Sequence, residues 1–492
     1  MEKFLPLFIA IPLGLGFLSV LSGKIYKRLP EIFAVLATAS LLVMSFSLIG
    51  YKPFHYAMGN WNPPIGISLV VDNLSILLLL IISIISFLVV LYSIKYIEKY
   101  TGKAKFFALL MLMITGMNGV VLSGDFFNLF VFLEIASISS YALVGFGGEK
   151  EELEASFKYL VLGTVSSSMI LLGVGILYAS AGSLNMADVA LFIQTDGLNK
   201  AVLFSCALFL MGFGLKAAMV PFHAWLPDAH PSAPAPISAM LSGVLIKALG
   251  IYAIARIFYN VIGMAPVFKY TLMGMGLLSM VVGALMAIGQ WDIKRLMGYS
   301  SISQMGYVIL GLSIGTSLGI IGALFHLINH AAFKSLLFLS SGSIEYSTGT
   351  RNMKDLGGLI KKMPVTGTAC SIGCLSISGV PPFNGFWSKL IIIIALVQAD
   401  YYTLAIITIL VSFLTLIYYV KVQKFAIFGS LPFNLKEIKE TPALMYIPLA
   451  VLALICIGAG ILYPFYGKEI LENASRVLID NIHYISYALG SN

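Results

Sequence analysis

Apolar runs of about 20 residues recur from one end of the chain to the other, with short polar stretches between them. Each run is long enough to cross about 30 Å of hydrocarbon as a helix. The runs at 4–22, 31–50, 70–94, 106–123, 126–146, 155–181, 201–220, 236–262, 269–289, 295–315, 317–343, 365–398, 402–428 and 442–466 predict 14 transmembrane helices. A barrel would show shorter segments of alternating polarity instead. The pattern therefore predicts an all-α integral membrane protein, multi-pass, with residues 1–492 as a single transmembrane domain in a lipid bilayer. Composition agrees, since 59% of the 492 residues are hydrophobic and 11% charged, against roughly 25% charged in soluble domains. The first run carries no small-residue cleavage site and reads as a retained helix.

The net charge of +8 is unevenly spread. Eighteen of the 30 Lys and Arg residues fall in loops and helix ends on the side away from the termini, and seven on the terminal side. Basic loops stay in the cytoplasm, so both termini are expected outside, in the cell membrane. This asymmetry accounts for the basic balance, and no nucleic-acid partner is expected. The four cysteines, Cys206, Cys370, Cys374 and Cys456, lie inside apolar runs and read as packing residues. Cys370 and Cys374 share a helix face, but no further ligand lies nearby, so no metal is expected there.

Five lysines fall inside predicted spans: Lys158, Lys216, Lys247, Lys334 and Lys389. Glu134 is similarly placed in FFNLFVFLEIASISSYALV. Each such charge costs about 2.5–3.5 kcal/mol near the bilayer centre. Lys158 lies three residues into its helix and can snorkel to the interface, a reading also open for Lys334. Lys216, Lys247 and Glu134 are flanked on both sides by long uncharged stretches, which points to a proton or ion path. A Glu–Lys pair switches between charged and neutral states when a proton moves or the pair separates. His326, His330 and Lys334 recur every four residues and form one helical stripe. Zinc binding, structural hydrogen bonding and proton relay all use such a stripe. HLINH lacks the glutamate of a metalloprotease HExxH, and histidine titrates near neutral pH, which suits a relay.

Two proline-rich strings interrupt these runs. GFGLKAAMVPFHAWLPDAHPSAPAP, residues 212–236, breaks the seventh span just after Lys216, and SGVPPFNGFWSKL breaks the twelfth just before Lys389. Proline removes a backbone donor, and in lipid the freed carbonyls must find protein or water. Each break is therefore expected to line a hydrated cavity. His223 and His230 fall on the cytoplasmic side of the first break and are candidates for a proton entrance. Ala155–Lys158 echoes Ala331–Lys334, and PFHAW at 221–225 echoes PFNGF at 382–386. Both echoes are five spans apart, and an odd offset reverses direction through the membrane. The expectation is two inverted five-helix repeats, 104–262 (helices 4–8) and 265–428 (helices 9–13), with broken helices 7 and 12.

At these residues the sequence resembles the antiporter-like family shared by respiratory complex I, Mrp cation/proton antiporters and membrane-bound hydrogenases. The matching strings are LVVDNLSILLLL, GDFFNLFVFLEIASISSYAL, KAAMVPFHAWLPDAHPSAPAPISAMLSGVLIKALGIY, QWDIKRLMGYSSISQMGY and GVPPFNGFWSK. The similarity spans essentially the whole chain. It implies that Glu134 and Lys216 form the switch pair, that Lys247 and Lys389 are central-axis lysines, and that His326, His330 and Lys334 connect two half-channels. Asp72 is a candidate for the entrance or for support. Lysine at position 389 is similar to the D-type subunit of Mrp antiporters. The chain ends at Asn492 with no lateral helix, which favours a D-type subunit over the large terminal ones.

The leading expectation is a proton-translocating subunit of a multisubunit complex, an Mrp-type Na+/H+ antiport module or its counterpart in a hydrogenase or related respiratory complex. Its partners are other membrane subunits and protons, with sodium left open; a lysine-rich axis favours protons, because an ammonium repels a metal cation. The alternative is a stand-alone secondary transporter for a small solute. An intramembrane transferase would need paired acids or a metal in a long loop, and the loop at 342–363 is merely basic. The sequence carries no nucleotide-binding glycine loop, quinone signature or redox-metal ligand set, so no cofactor and no covalent chemistry are expected in this chain itself.

Overall fold

The computed structural model describes residues 2–23 and 25–490; Lys24, one of the loop cations counted above, lies outside them. In chain order the elements are α1 (Leu7–Ser22), α2 (Leu29–Ser47), β1 (Phe54–Ala57), β2 (Ser68–Val71), α3 (Asn73–Tyr96), α4 (Lys103–Leu122), α5 (Phe126–Val144), α6 (Lys150–Ala181), α7 (Met186–Asp196), α8 (Lys200–Lys216) and α9 (Leu226–Ser232). There follow α10 (Ala235–Val261), α11 (Pro266–Ile288), α12 (Ile293–Ser313), α13 (Ser317–Thr348), α14 (Pro364–Ser378), α15 (Asn384–Gln398), α16 (Tyr402–Phe428), α17 (Ala443–Leu462), α18 (Lys468–Ile479) and α19 (Asn481–Leu489). β1 and β2 form an antiparallel hairpin with Phe54 opposite Val71.

Eleven of the described helices are long and apolar enough to cross a membrane. The remaining predicted segments differ for physical reasons. The seventh ends at Lys216 after 17 residues, the tenth (α12) is rich in Ser and Gly, and the twelfth is divided into two helices of 15 residues each.

Side chains satisfy the open backbone groups at the helix ends. Asp72 accepts from Ser75 N at 2.9 Å and the Ser75 hydroxyl accepts from Asp72 N at 2.8 Å, a reciprocal cap on α3. Asp125 and Asp292 cap α5 and α12 in one direction, accepting from Asn128 N and Arg295 N. Glu440, distant in sequence, accepts from Val365 N, Thr366 N and the Thr366 hydroxyl, which closes the start of α14. Gly182 and Gly349 end α6 and α13 in the left-handed conformation that favours glycine.

α10 and α13 are the most enclosed spans, with 100% and 94% of their most apolar windows buried. A helix that is apolar all round and surrounded by other helices occupies the centre of a bundle. These two therefore hold the middle, and both carry charged residues. α10 departs from regular winding: Leu241–Leu245, Lys247–Tyr252 and Arg256–Val261 are π-helical. Such segments are rare and concentrate at functional sites.

Two residues counted above as loop or helix-end cations are interior. Arg256 is buried within α10 and pairs with Asp72 at 2.7 Å. Lys294 is buried in α12 and pairs with Glu345 at 3.2 Å. Glu345 itself falls within α13, because that helix runs five residues past the predicted end of the span. Removing one cation from each side leaves the direction of the charge asymmetry unchanged.

Candidate functional site

Lys216 is the last residue of α8. Its ammonium reaches α5 and α6, where it donates to the hydroxyls of Ser137 at 2.9 Å, Ser167 at 3.1 Å and Tyr141 at 3.2 Å. The Glu134 carboxylate lies 3.6 Å from it. The Ser167 hydroxyl also donates to Glu134 Oε1, so one serine touches both members of the pair. The expected Glu134–Lys216 pairing is thus formed. Ser137, Tyr141 and Ser167 were missed at the level of sequence. A signal for two of them was present, since positions 134, 137 and 141 share one helix face.

The chain from 217 to 225 satisfies its freed backbone groups with protein. Trp225 Nε1 donates to the carbonyl of Leu215 at 3.0 Å, and Val220 N donates to Ser279 Oγ at 2.9 Å. Trp225 stacks on Tyr159 at 4.0 Å, and Tyr159 meets Tyr141 edge-on. At this break, packed side chains answer these backbone groups. Gly250 of α10 lies directly against it: a Cβ there would sit 2.6 Å from Ala217 N, so glycine permits the close approach.

The second break does line a cavity, of about 250 Å³, bounded by Gly379, Pro381, Phe386, Lys389 and Ser412 among others. Lys389 donates to Ser412 Oγ at 3.2 Å and lies 5.1 Å from the centre of the Tyr307 ring. Two reciprocal amide bonds pin this break to α13: Asn384 Nδ2 donates to Asn329 Oδ1 at 2.9 Å, and Asn329 Nδ2 donates to the Asn384 carbonyl at 3.0 Å.

Between the two breaks lies the central group. Lys247 is fully buried and donates to the carbonyl of Ser242, five residues earlier in the π-wound segment, at 2.5 Å. Lys334 is fully buried as well, donating to the Met297 carbonyl at 2.7 Å and to Tyr419 at 3.2 Å. It does not snorkel. Lys158 does, half exposed and paired with Glu154 and Asp228. His326 is held by Ser388 Oγ at 2.9 Å on Nδ1 and by Gln304 Oε1 at 3.1 Å on Nε2. Ser388 precedes Lys389 in sequence, so the histidine contacts the neighbour of the twelfth-segment lysine. His330 is buried with neither ring nitrogen hydrogen-bonded, and Lys247, Lys334, His326 and His230 are within electrostatic reach of it. Among the described residues, Lys247, Lys334 and Lys389 have no carboxylate within ion-pair distance.

The three entrance or support candidates separate. His223 is half-buried in the first break. His230 is fully buried and stacked on Phe338 at 4.6 Å. A side chain with no exposed surface is not the mouth of a path, so the entrance reading of His230 is corrected to an interior position. Asp72 accepts from Arg256, from Ser75 N and from the Tyr487 hydroxyl at 2.9 Å, tying α3, α10 and α19 together.

A family model described as NADH:quinone oxidoreductase/Mrp antiporter, TM, matches residues 123–415. A second, for the N-terminus of complex I chain 5, matches residues 58–107. NADH-quinone oxidoreductase subunit N of Desulforudis audaxviator is 35% identical over 461 residues, covering 89% of this chain and 90% of that protein. The Na(+)/H(+) antiporter D subunit of Alkalihalophilus pseudofirmus is 32% identical over 494 residues, covering 98% and 99%. Among solved structures, a chain of the membrane-bound sulfane sulfur reductase, an archaeal respiratory membrane complex, superposes with a TM-score of 0.92 at 33% identity, covering 99% of this chain and 100% of that one. A chain of the Mrp complex from Dietzia sp. DQ12-45-1b gives 0.91 at 26% identity, covering 99% of both. The matched region contains the Glu134–Lys216 pair, the central lysines and both breaks, and the chain belongs to the NADH:quinone oxidoreductase/Mrp antiporter transmembrane family.

Proposed function

We propose that this chain is a proton-translocating, antiporter-like subunit of a multisubunit membrane complex, of the kind to which Mrp D-type subunits belong. Protons move along Glu134, Lys216, Lys247, His330, Lys334, His326 and Lys389. The carrying observation is a buried file of lysines and histidines in which, among the described residues, only Lys216 has a carboxylate partner. A static ion-pair network would be neutralised throughout, because an uncompensated buried charge costs several kcal/mol. A file of neutral and protonated amines passes the charge along instead.

The reading includes 14 spans, termini outside, and inverted repeats over 104–262 and 265–428. The repeats are supported by one recurring offset. Asp292 and Asn352 lie 167 positions after Asp125 and Asn185, and each pair forms an antiparallel bridge. α6 and α13 are both 32 residues long and start 167 apart. The π-helical segments Arg256–Val261 and Gln423–Phe428 repeat at the same offset. In this register the Ala155–Lys158 and Ala331–Lys334 echo is nine residues out of step, so it does not carry the repeat. Lys216→Ala in the assembled complex is expected to abolish ion transport; a normal rate from a correctly assembled variant overturns the proposal.

A further inference from the structure

A second charged assembly lies outside the file just described, at the membrane face where α6, α9 and α12 begin. A cavity of about 450 Å³ opens there, lined by Glu154, Lys158, Asp228, Asp292, Arg295 and Arg351 among others. Carboxylates and cations share its wall. Asp228 is held between Lys158 and Arg295, each at 3.2 Å. Arg351 is part of its wall. Its guanidinium binds Asp292, donates to the carbonyl of Pro231 at 2.7 Å and lies 3.8 Å from Glu345 Oε1.

Behind Arg351 the polar groups continue inward. Glu345 Oε2 lies 3.2 Å from the Lys294 ammonium. Lys294 is buried and also donates to the carbonyl of Ala233 at 3.1 Å. One helical turn along the same face of α12, Gly298 abuts His230: a Cβ on that glycine would lie 3.5 Å from the ring. His230 is fully buried, neither of its ring nitrogens has a hydrogen-bond partner among the described residues, and Lys294, Lys334 and Lys247 are within electrostatic reach. A buried imidazole left without partners is unusual. It is accounted for if the ring receives and releases a proton through water.

We propose that Glu345 and Lys294 form a proton inlet from this vestibule to His230, and through it to the central lysines, with Arg351 as its outer gate. In the resting pair Glu345 is a carboxylate and Lys294 an ammonium. Lys294 gives a proton to His230 through water, leaving a neutral amine and an imidazolium. Glu345 takes a proton from the vestibule and passes it to that amine, which restores the pair. One proton has then moved from the vestibule to His230, with no other change.

The inlet rests on the proton-path reading above, and the experiment separates the two. Proton transport is measured in vesicles containing the assembled complex, with Glu345→Ala, His230→Gln and Lys216→Ala compared with wild type. Loss of a positioned proton carrier is expected to slow transport roughly a hundredfold. Sodium formate, a small acid able to occupy the gap beside Lys294 and Arg351, is expected to restore part of the rate in Glu345→Ala and none in Lys216→Ala, with sodium chloride as the inert control. A Glu345→Ala complex that transports at the wild-type rate, or that assembles, fails and is not restored by formate, overturns the inlet. If Glu345→Ala does not assemble, His230→Gln decides alone: a wild-type rate there also overturns it. Normal transport by Lys216→Ala overturns the underlying reading instead.

Discussion

Glu134→Gln and Glu134→Asp test whether charge at Glu134 governs the path. The carboxylate lies 3.6 Å from the Lys216 ammonium, with 26% of its side chain exposed and 2% of that of the lysine. For such a partly wet site an effective dielectric of about 20 gives about 5 kcal/mol of attraction. Asp withdraws the carboxylate by about one C–C bond, roughly 1.5 Å. The attraction then falls to about 3 kcal/mol, which weakens the pairing about tenfold. Gln removes the attraction altogether while keeping an acceptor for Ser167. The expected series in vesicles, read with a pH-sensitive dye after confirming assembly, is a reduced but measurable rate for Asp and background for Gln. A Gln variant at the wild-type rate, or an Asp variant slower than Gln, refutes the reasoning.

Three further substitutions separate the path from its scaffold. Ser167→Ala removes the hydroxyl shared by Glu134 and Lys216; a lost bond to a charged group is worth about 1.5–3 kcal/mol, and transport should fall about tenfold or more with assembly intact. Arg256→Ala strands the buried Asp72 carboxylate and should destabilise the chain by about 3–5 kcal/mol, seen as a lower melting temperature in detergent. Gly250→Val drives a side chain into Ala217 at the first break; overpacking costs about 1–3 kcal/mol, and the measurement is a drop in both melting temperature and transport.

The hydrophobic pattern made most of the helices legible, because a membrane imposes one length and one polarity on anything that crosses it. It also exposed Lys216, Lys247 and Glu134, since a charge inside an apolar run stands out whatever its partners. What the pattern hides is depth and winding. Arg256 and Lys294 sit near the ends of runs, where a cation reads equally as a loop residue; their acidic partners are 184 and 51 positions away, Asp72 and Glu345. The charge count puts His230 on the cytoplasmic side of the first break, yet its ring is fully buried and stacked on Phe338. The π-wound segment around Lys247 leaves no mark on hydropathy, because every residue of α10 is buried and its polarity has no periodicity to shift.

The same chain shows how buried charge is handled when the role is structural. Asp72 faces Arg256, accepts from Ser75 N and from Tyr487, and leaves no charge unanswered. Glu440 accepts three donors at one helix end. The central file follows the opposite rule. Among the described residues, Lys247, Lys334 and Lys389 find only carbonyl or hydroxyl acceptors, and neither ring nitrogen of His330 has a hydrogen-bond partner. Neutral acceptors hold an amine in either protonation state, whereas a carboxylate beside it favours the charged one. The fold can neutralise a buried cation and does so at Arg256. Its withholding of a counter-charge from three lysines in a row is therefore the feature on which the proposed proton path rests.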